Sequence, residues 1–151
     1  MSSVIKRKAP VITRGLLGLI FTVFGLNGFF QFIPQPPSPA AAQAFAGALA
    51  ASGYFFPLLK GVEVASGILL LSGRFVPLAL TVLAPIIVNI VAFHIFLAPG
   101  GLPLAVLLVG LEVGLAWAYR DSFQGVLAAN AQPHSSEARS EAIGGEAVSR
   151  A

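Results

Sequence analysis

The chain has 151 residues, of which 56% are hydrophobic and 10% charged, a formal net charge of +3 at pH 7 and no cysteine. An ordinary soluble domain is about one quarter charged, so this composition excludes that class and favours a lipid bilayer as the solvent. Without cysteine the chain forms no disulfide, thiolate zinc site or iron–sulfur cluster, and its few basic residues do not form the basic face of a nucleic-acid-binding protein.

Four long apolar stretches predict four membrane-spanning helices, at residues 12–33, 54–71, 76–96 and 102–119. Each is close to the roughly 20 residues that a helix needs to cross the hydrocarbon core. We therefore expect an all-α protein, an integral membrane four-helix bundle with a transmembrane domain over residues 14–123. A signal peptide is the alternative for the first stretch, but the stretch is long for that role and three more spans follow it.

The segments outside the spans are polar or rich in small residues. Residues 1–13 form a basic N-terminus, and the composition of residues 124–151 predicts a disordered tail, in which His134 is not expected to be a ligand. The loop 34–53 begins with a proline cluster that excludes a helix. Its alanine-rich part predicts a short helix on the outer surface, with Phe45 on its apolar side.

The basic residues predict the orientation of the spans. They precede the first span or lie near its start, connect the second to the third, and follow the fourth: Lys6, Arg7, Lys8, Arg14, Arg74 and Arg120. The loops 34–53 and 98–101 contain no charge. Because basic loops stay on the cytoplasmic side, both termini are expected to be cytoplasmic, in a bacterial inner membrane.

Several polar residues interrupt the apolar spans, and aromatic residues surround them. At about 1.5 Å per residue they lie near the midplane or in the outer half of the membrane. We expect them to form one buried polar site: Asn27, Gln31, Lys60, Glu63, Asn89, His94 and Glu112. Asn27 and Gln31 share a helical face, as do Lys60 and Glu63, whereas His94 is rotated away from Asn89.

Lys60, Glu63 and Glu112 each cost at least ~2.5 kcal/mol within a span, so their presence is not accidental. Two interpretations stay open, a structural ion pair and a site for binding or proton exchange. One lysine against two glutamates leaves one carboxylate uncompensated, which suits proton exchange, unless His94 supplies the second positive charge. No metal site is expected, and one histidine in the spans does not provide bis-histidine haem ligation within one subunit.

Gly110 and Gly114 form a G-x-x-x-G motif in the fourth span. Glu112 points roughly opposite these glycines. If Glu112 faces the bundle interior, the glycines face outward and fit a homodimer. The alternative is helix packing inside one bundle, the more common use of such motifs.

The stretch "KGVEVASGILLLSGRFVPLALTVLAPIIVNIVAFHIFL", followed by "GLEVGLAWAYRDSF", resembles the DoxX family of small bacterial membrane proteins. The opening "RGLLGLIFTVFGLNGFFQFI" is similar to the first helix of that family, so the resemblance covers residues 14–123. Its most specific parts are K-x-x-E, N-x-x-x-F-H and the acidic residue before W-A-Y-R. The resemblance implies four transmembrane helices and a polar interior with these candidates: Lys60, Glu63, Asn89, His94 and Glu112.

The namesake branch of the family is similar to the membrane subunit of a thiosulfate:quinone oxidoreductase. The resemblance thus implies an accessory membrane subunit of a quinone-linked oxidoreductase, with quinone as its cofactor and a further oxidoreductase subunit as its partner. The chain has no redox cofactor motif of its own, so electrons would come from that partner. A small oligomeric transporter and a structural or assembly protein without its own chemistry are the alternatives.

Overall fold

The computed structural model describes residues 2–34 and 37–125, with side chains from Lys8 onward. The described residues form five α-helices and two short 3-10 helices, with no strand: α1 Ser2–Phe30, α2 Ala40–Ala51, α3 Phe55–Ser72, α4 Val76–Phe96, 3-10 Pro99–Gly101, α5 Leu102–Ala118 and 3-10 Arg120–Phe123. The predicted all-α class is confirmed. The tail that is predicted to be disordered lies almost entirely outside the described residues.

Four helices are long and apolar enough to cross a membrane. They comprise Lys8–Phe30 within α1, Phe55–Ser72, Val76–Phe96 and Pro99–Ala118. Their bounds lie within a few residues of the predicted spans, except that α1 begins at Ser2. The residues before Ile12 are thus helical as well, since lysine and arginine are good helix formers, although Pro10 removes one backbone N–H.

The four long helices form a closed ring in which α1 packs on α3, α3 on α4, α4 on α5, and α5 on α1. This is the arrangement of a four-helix bundle. Its centre contains large side chains that are almost fully buried: Leu17, Leu70, Val76, Leu80, Leu83 and Leu115. This unit ends at Arg120, and Asp121 begins a second unit.

Small residues bring α1 and α3 together in antiparallel orientation. A Cβ on Gly18 would lie 2.9 Å from the carbonyl oxygen of Gly67, and one on Gly25 would lie 2.7 Å from Cγ2 of Val64. The Thr22 hydroxyl donates to the Gly18 carbonyl at 2.7 Å, so it is satisfied within α1. The two backbones approach this closely only because glycine has no side chain.

The opposite ends of the bundle differ in composition. At the basic end, where α3 passes into α4 through Gly73 to Phe75, Arg14 and Arg74 are located. At the aromatic end the chain passes from α1 into α2 and α3, and from α4 into α5. Exposed aromatic residues lie at this end: Phe29, Phe30, Phe32, Tyr54 and Phe96.

The predicted short helix between the first two spans is present as α2. It packs on α3, and its Ala42 is buried. The Phe45 ring reaches α4, where its centroid lies 6.0 Å from that of Phe93. The helix α2 therefore covers part of the aromatic end of the bundle.

Candidate functional site

Lys60 and Glu63 form an ion pair on one face of α3. Lys60 Nζ lies 2.7 Å from Glu63 Oε2, with the lysine side chain 22% exposed and the glutamate side chain 4%. The spacing of three residues places both groups on the same side of the helix. Within the described chain this pair is isolated from other ion pairs, so Glu63 depends on Lys60 for charge compensation.

The aliphatic stem of Lys60 lies against Gly28 of α1. A Cβ on Gly28 would lie 2.6 Å from Lys60 Cδ, and one on Gly25 would lie 3.3 Å from Glu63 Cβ. The absence of side chains at these two glycines therefore leaves room for the pair between α1 and α3. The glycines of α1 thus make room for an ion pair whose two residues both belong to α3.

Glu112 of α5 is buried, with 8% of its surface exposed. Its Oε2 atom has no hydrogen-bond partner among the residues that the structure describes. Lys60 binds Glu63 and forms no ion pair with Glu112. The prediction that one lysine and two glutamates meet is therefore wrong for Glu112, because α5 packs on α1 and α4 and approaches α3 less closely.

Asn27 is 5% exposed, and its Oδ1 accepts a hydrogen bond from the backbone N–H of Ile33 at 2.6 Å. This hydrogen bond holds the residues that follow α1 against the last turn of the helix. Gln31 follows the end of α1, has a φ of 51°, and is exposed. The predicted common face of Asn27 and Gln31 is wrong, because the left-handed backbone at Gln31 no longer follows the helical period.

Asn89 is exposed and lines an open cleft of about 250 Å³ between α2 and α4. The remaining lining is apolar: Phe45, Ala92, Phe93, Phe96 and Leu97. The predicted burial of Asn89 is wrong. The buried stripe of α4 runs through Leu83 and Ile87, and Asn89 lies about 200° around the helix from Ile87.

His94 contacts the segment that connects α4 to α5. Its Nδ1 lies 2.9 Å from the carbonyl oxygen of Ala98, the geometry of a hydrogen bond when Nδ1 carries the proton. The ring packs edge-on against Phe93, with centroids 5.3 Å apart, and against the backbone of Gly101. The His94 side chain thus contacts residues near it in sequence, and it is not part of the Lys60–Glu63 ion pair. No group of three or more His, Asp or Glu side chains within the described ranges has the arrangement of a metal site.

Gly110 and Gly114 are both exposed, and a Cβ on either would meet nothing within 4 Å. The interpretation that these glycines pack inside the bundle is wrong. Glu112 occupies the buried side of α5 together with Leu108 and Leu115, so the glycines lie on the outer side.

Two polar residues of the bundle were missed as candidates. Ser66 is buried, and its position three residues after Glu63 was the available signal. Arg14 was interpreted only as an indicator of orientation, yet its guanidinium packs on the α3–α4 turn and its Nε is buried. A charge inside a long apolar segment was the signal for Arg14.

Comparisons of the chain with known protein families, with characterised proteins and with solved structures find no match. The resemblance to the DoxX family therefore stays a prediction that rests on the residues named above. The candidate function accordingly rests on that resemblance and on the geometry of the chain itself.

Proposed function

We propose that the chain is a multi-pass membrane protein that crosses the bilayer with α1, α3, α4 and α5. In support, large apolar side chains cover the outside of all four helices: Ile12, Leu16, Leu19, Leu58, Ile68, Leu78, Val88, Ile95, Val106 and Val113. Soluble monomers rarely expose so continuous an apolar surface. The basic end is proposed to face the cytoplasm and the aromatic end the opposite side, in a bacterial inner membrane.

Within that membrane we propose a quinone-binding accessory subunit of an oxidoreductase, as the resemblance to the DoxX family implies. The cleft between α2 and α4 is the observation that carries this function. Phe45 and Phe93 offer aromatic surface to a flat quinone ring, and the Asn89 amide can donate a hydrogen bond to a quinone carbonyl. Apolar walls with one well-placed polar group are typical of sites for such ligands.

The electrons would come from a partner subunit, since the chain has no cysteine for a cluster and no motif for a redox cofactor. Reduction of a quinone to a quinol takes up two electrons and two protons. Glu112, on the neighbour of α4, is a carboxylate whose Oε2 has no hydrogen-bond partner in the described part of the chain. A carboxyl group in that setting is suited to proton exchange.

Quinone retention tests this function. The full chain, purified in mild detergent, is expected to retain quinone that solvent extraction and mass spectrometry identify. Asn89→Leu should lower the retained quinone about tenfold, because the hydrogen bond from its amide to a quinone carbonyl is lost. Val113→Ala, on the outside of α5, is the matched control. No quinone in the wild-type chain, or equal retention by both variants, would contradict the function.

The Glu112 carboxylate, whose Oε2 has no hydrogen-bond partner in the described residues, also fits a second candidate, a small oligomeric transporter or permeation protein. Proton flux into liposomes that contain the purified chain separates the two functions. Flux that is lost in Glu112→Gln, without any bound quinone, would favour transport. The Lys60–Glu63 ion pair, in which each charge compensates the other, fits the third candidate, a structural or assembly protein.

We also propose a homodimer through the exposed face of α5 at Gly110 and Gly114, where two helices could approach closely. Gly110→Leu combined with Gly114→Leu should then abolish a dimer that chemical crosslinking detects. Gly61→Leu, on an equally open position of α3, is the control. An unchanged crosslinked dimer would reject this interface.

A further inference from the structure

Arg14 carries a guanidinium group that the fold of residues 2–120 leaves without an anion. The side chain is half-buried on α1, and its Nε atom is buried without a hydrogen-bond partner in the described residues. Arg14 also forms no ion pair there. A buried N–H of a cationic group without a hydrogen-bond partner is unfavourable, so the site favours an anion from outside the bundle.

Gly73 provides the surface on which this guanidinium rests. Gly73 ends α3 with a φ of 73°, and its N–H donates to the carbonyl oxygen of Leu70 at 3.2 Å. A Cβ at this position would lie 2.8 Å from Arg14 Cζ and collide with Nη1. Glycine therefore serves two purposes here, because it adopts the left-handed turn and leaves the space that the guanidinium fills.

Among the described residues up to 120, the charged side chain next to this surface is another arginine. Arg74 follows Gly73 directly in the chain and is exposed. The acidic residues of the described chain up to residue 120 are Glu63 and Glu112, both buried within helices. Glu63 already binds Lys60. The anion that Arg14 and Arg74 would bind is thus not supplied by the bundle.

We propose that Arg14 and Arg74 bind the phosphate group of an anionic phospholipid at the basic end of the bundle. Arginine matches phosphate because its planar N–H donors form two parallel hydrogen bonds. Phe75, in a left-handed conformation with a φ of 54°, is 67% exposed beside this turn, where an acyl chain would begin. The assignment rests on the proposed membrane insertion, with the basic end in the anionic cytoplasmic leaflet.

Native mass spectrometry of the full chain with phosphatidylglycerol tests the site. Arg14→Gln is expected to weaken phosphatidylglycerol binding about tenfold or more, because charge-assisted hydrogen bonds to phosphate are lost. Binding of zwitterionic phosphatidylcholine should not change. Lys8→Gln, which removes an exposed charge from the same helix, is the matched control and should change binding by less than about twofold.

Two further variants and a competitor define the site. Arg14→Lys keeps the charge without the planar donors and should bind phosphatidylglycerol with intermediate affinity. Gly73→Ala displaces the guanidinium and should resemble Arg14→Gln, provided that circular dichroism shows unchanged helix content. Inorganic phosphate should not displace the lipid. Complete displacement would identify a free-anion site and overturn the lipid assignment.

Separate outcomes distinguish this site from the proposed function. A chain that does not remain in membranes after carbonate extraction would refute membrane insertion and, with it, the lipid site. A chain that remains in membranes, but whose phosphatidylglycerol binding is the same in wild type and Arg14→Gln, would refute the lipid site alone. Quinone retention is measured on the same samples and is expected not to depend on Arg14.

Discussion

Glu63 shows how a single charge is accommodated among apolar helices. Its carboxylate is almost fully buried, and the nearest compensation is Lys60 Nζ at 2.7 Å. Such a pair contributes little net stability, because desolvation of both groups opposes their attraction. Loss of either partner, however, leaves the other charge buried and unpaired. The pair is therefore expected to change the free energy of unfolding strongly only when one of its two residues is replaced.

Lys60→Leu is expected to lower the free energy of unfolding by roughly 3 kcal/mol, because Glu63 is left uncompensated. The double change Lys60→Leu with Glu63→Leu should be more stable than Lys60→Leu alone, since both desolvation costs disappear. Unfolding in detergent, followed by circular dichroism, measures both variants. If the double variant is at least as unstable as the single one, the pair is not a compensated buried contact.

At the scale of a helix pair, α1 and α3 approach so closely that a methyl group at Gly67 does not fit. A Cβ there would meet Thr22 Oγ1 and lie 2.8 Å from the Thr22 backbone nitrogen. The backbone nitrogen cannot rotate away as a side chain can. Gly61, on the same helix α3, has nothing within 4 Å of such a Cβ.

Gly67→Ala should therefore destabilise the bundle by about 1–3 kcal/mol through overpacking. Gly61→Ala is the matched control and should be neutral or stabilise α3 by up to about 1 kcal/mol, because alanine favours helix more than glycine does. Thermal unfolding of both variants in the same detergent measures the difference. Equal melting temperatures would contradict the close contact of α1 and α3.

The lengths of the helices and their apolar character were predictable from the amino-acid sequence, whereas the last residue of α1 was not. Hydrophobic stretches reveal spans because a membrane segment is apolar over its whole length. The end of α1 depends on the Asn27 side chain accepting a hydrogen bond from Ile33, and on the left-handed conformation of Gln31. A one-dimensional pattern does not contain that contact, so Gln31 was assigned to the wrong face.

At the scale of the whole molecule, the proposed orientation is open to direct test because the chain has no native cysteine. Ser38→Cys, in the exposed loop before α2, should react with a membrane-impermeant maleimide on intact spheroplasts. Ser72→Cys, exposed at the end of α3 near the basic end, should react only after permeabilisation. The opposite pattern would invert the proposed topology.

Hydropathy and charge distribution by themselves determined the all-α class, the number of long apolar helices and the candidate residues, because these properties depend on composition along the chain. Only the tertiary structure decided which candidates meet. Lys60 reaches Glu63 because Gly28 leaves room for its stem, and Asn89 lies in a cleft that α2 completes. Among the described residues Glu112 forms no ion pair with Lys60, because α5 packs beside α1 and α4. The physical reason is that the direction of a side chain depends on neighbouring helices that are distant in sequence, and no local pattern encodes their approach.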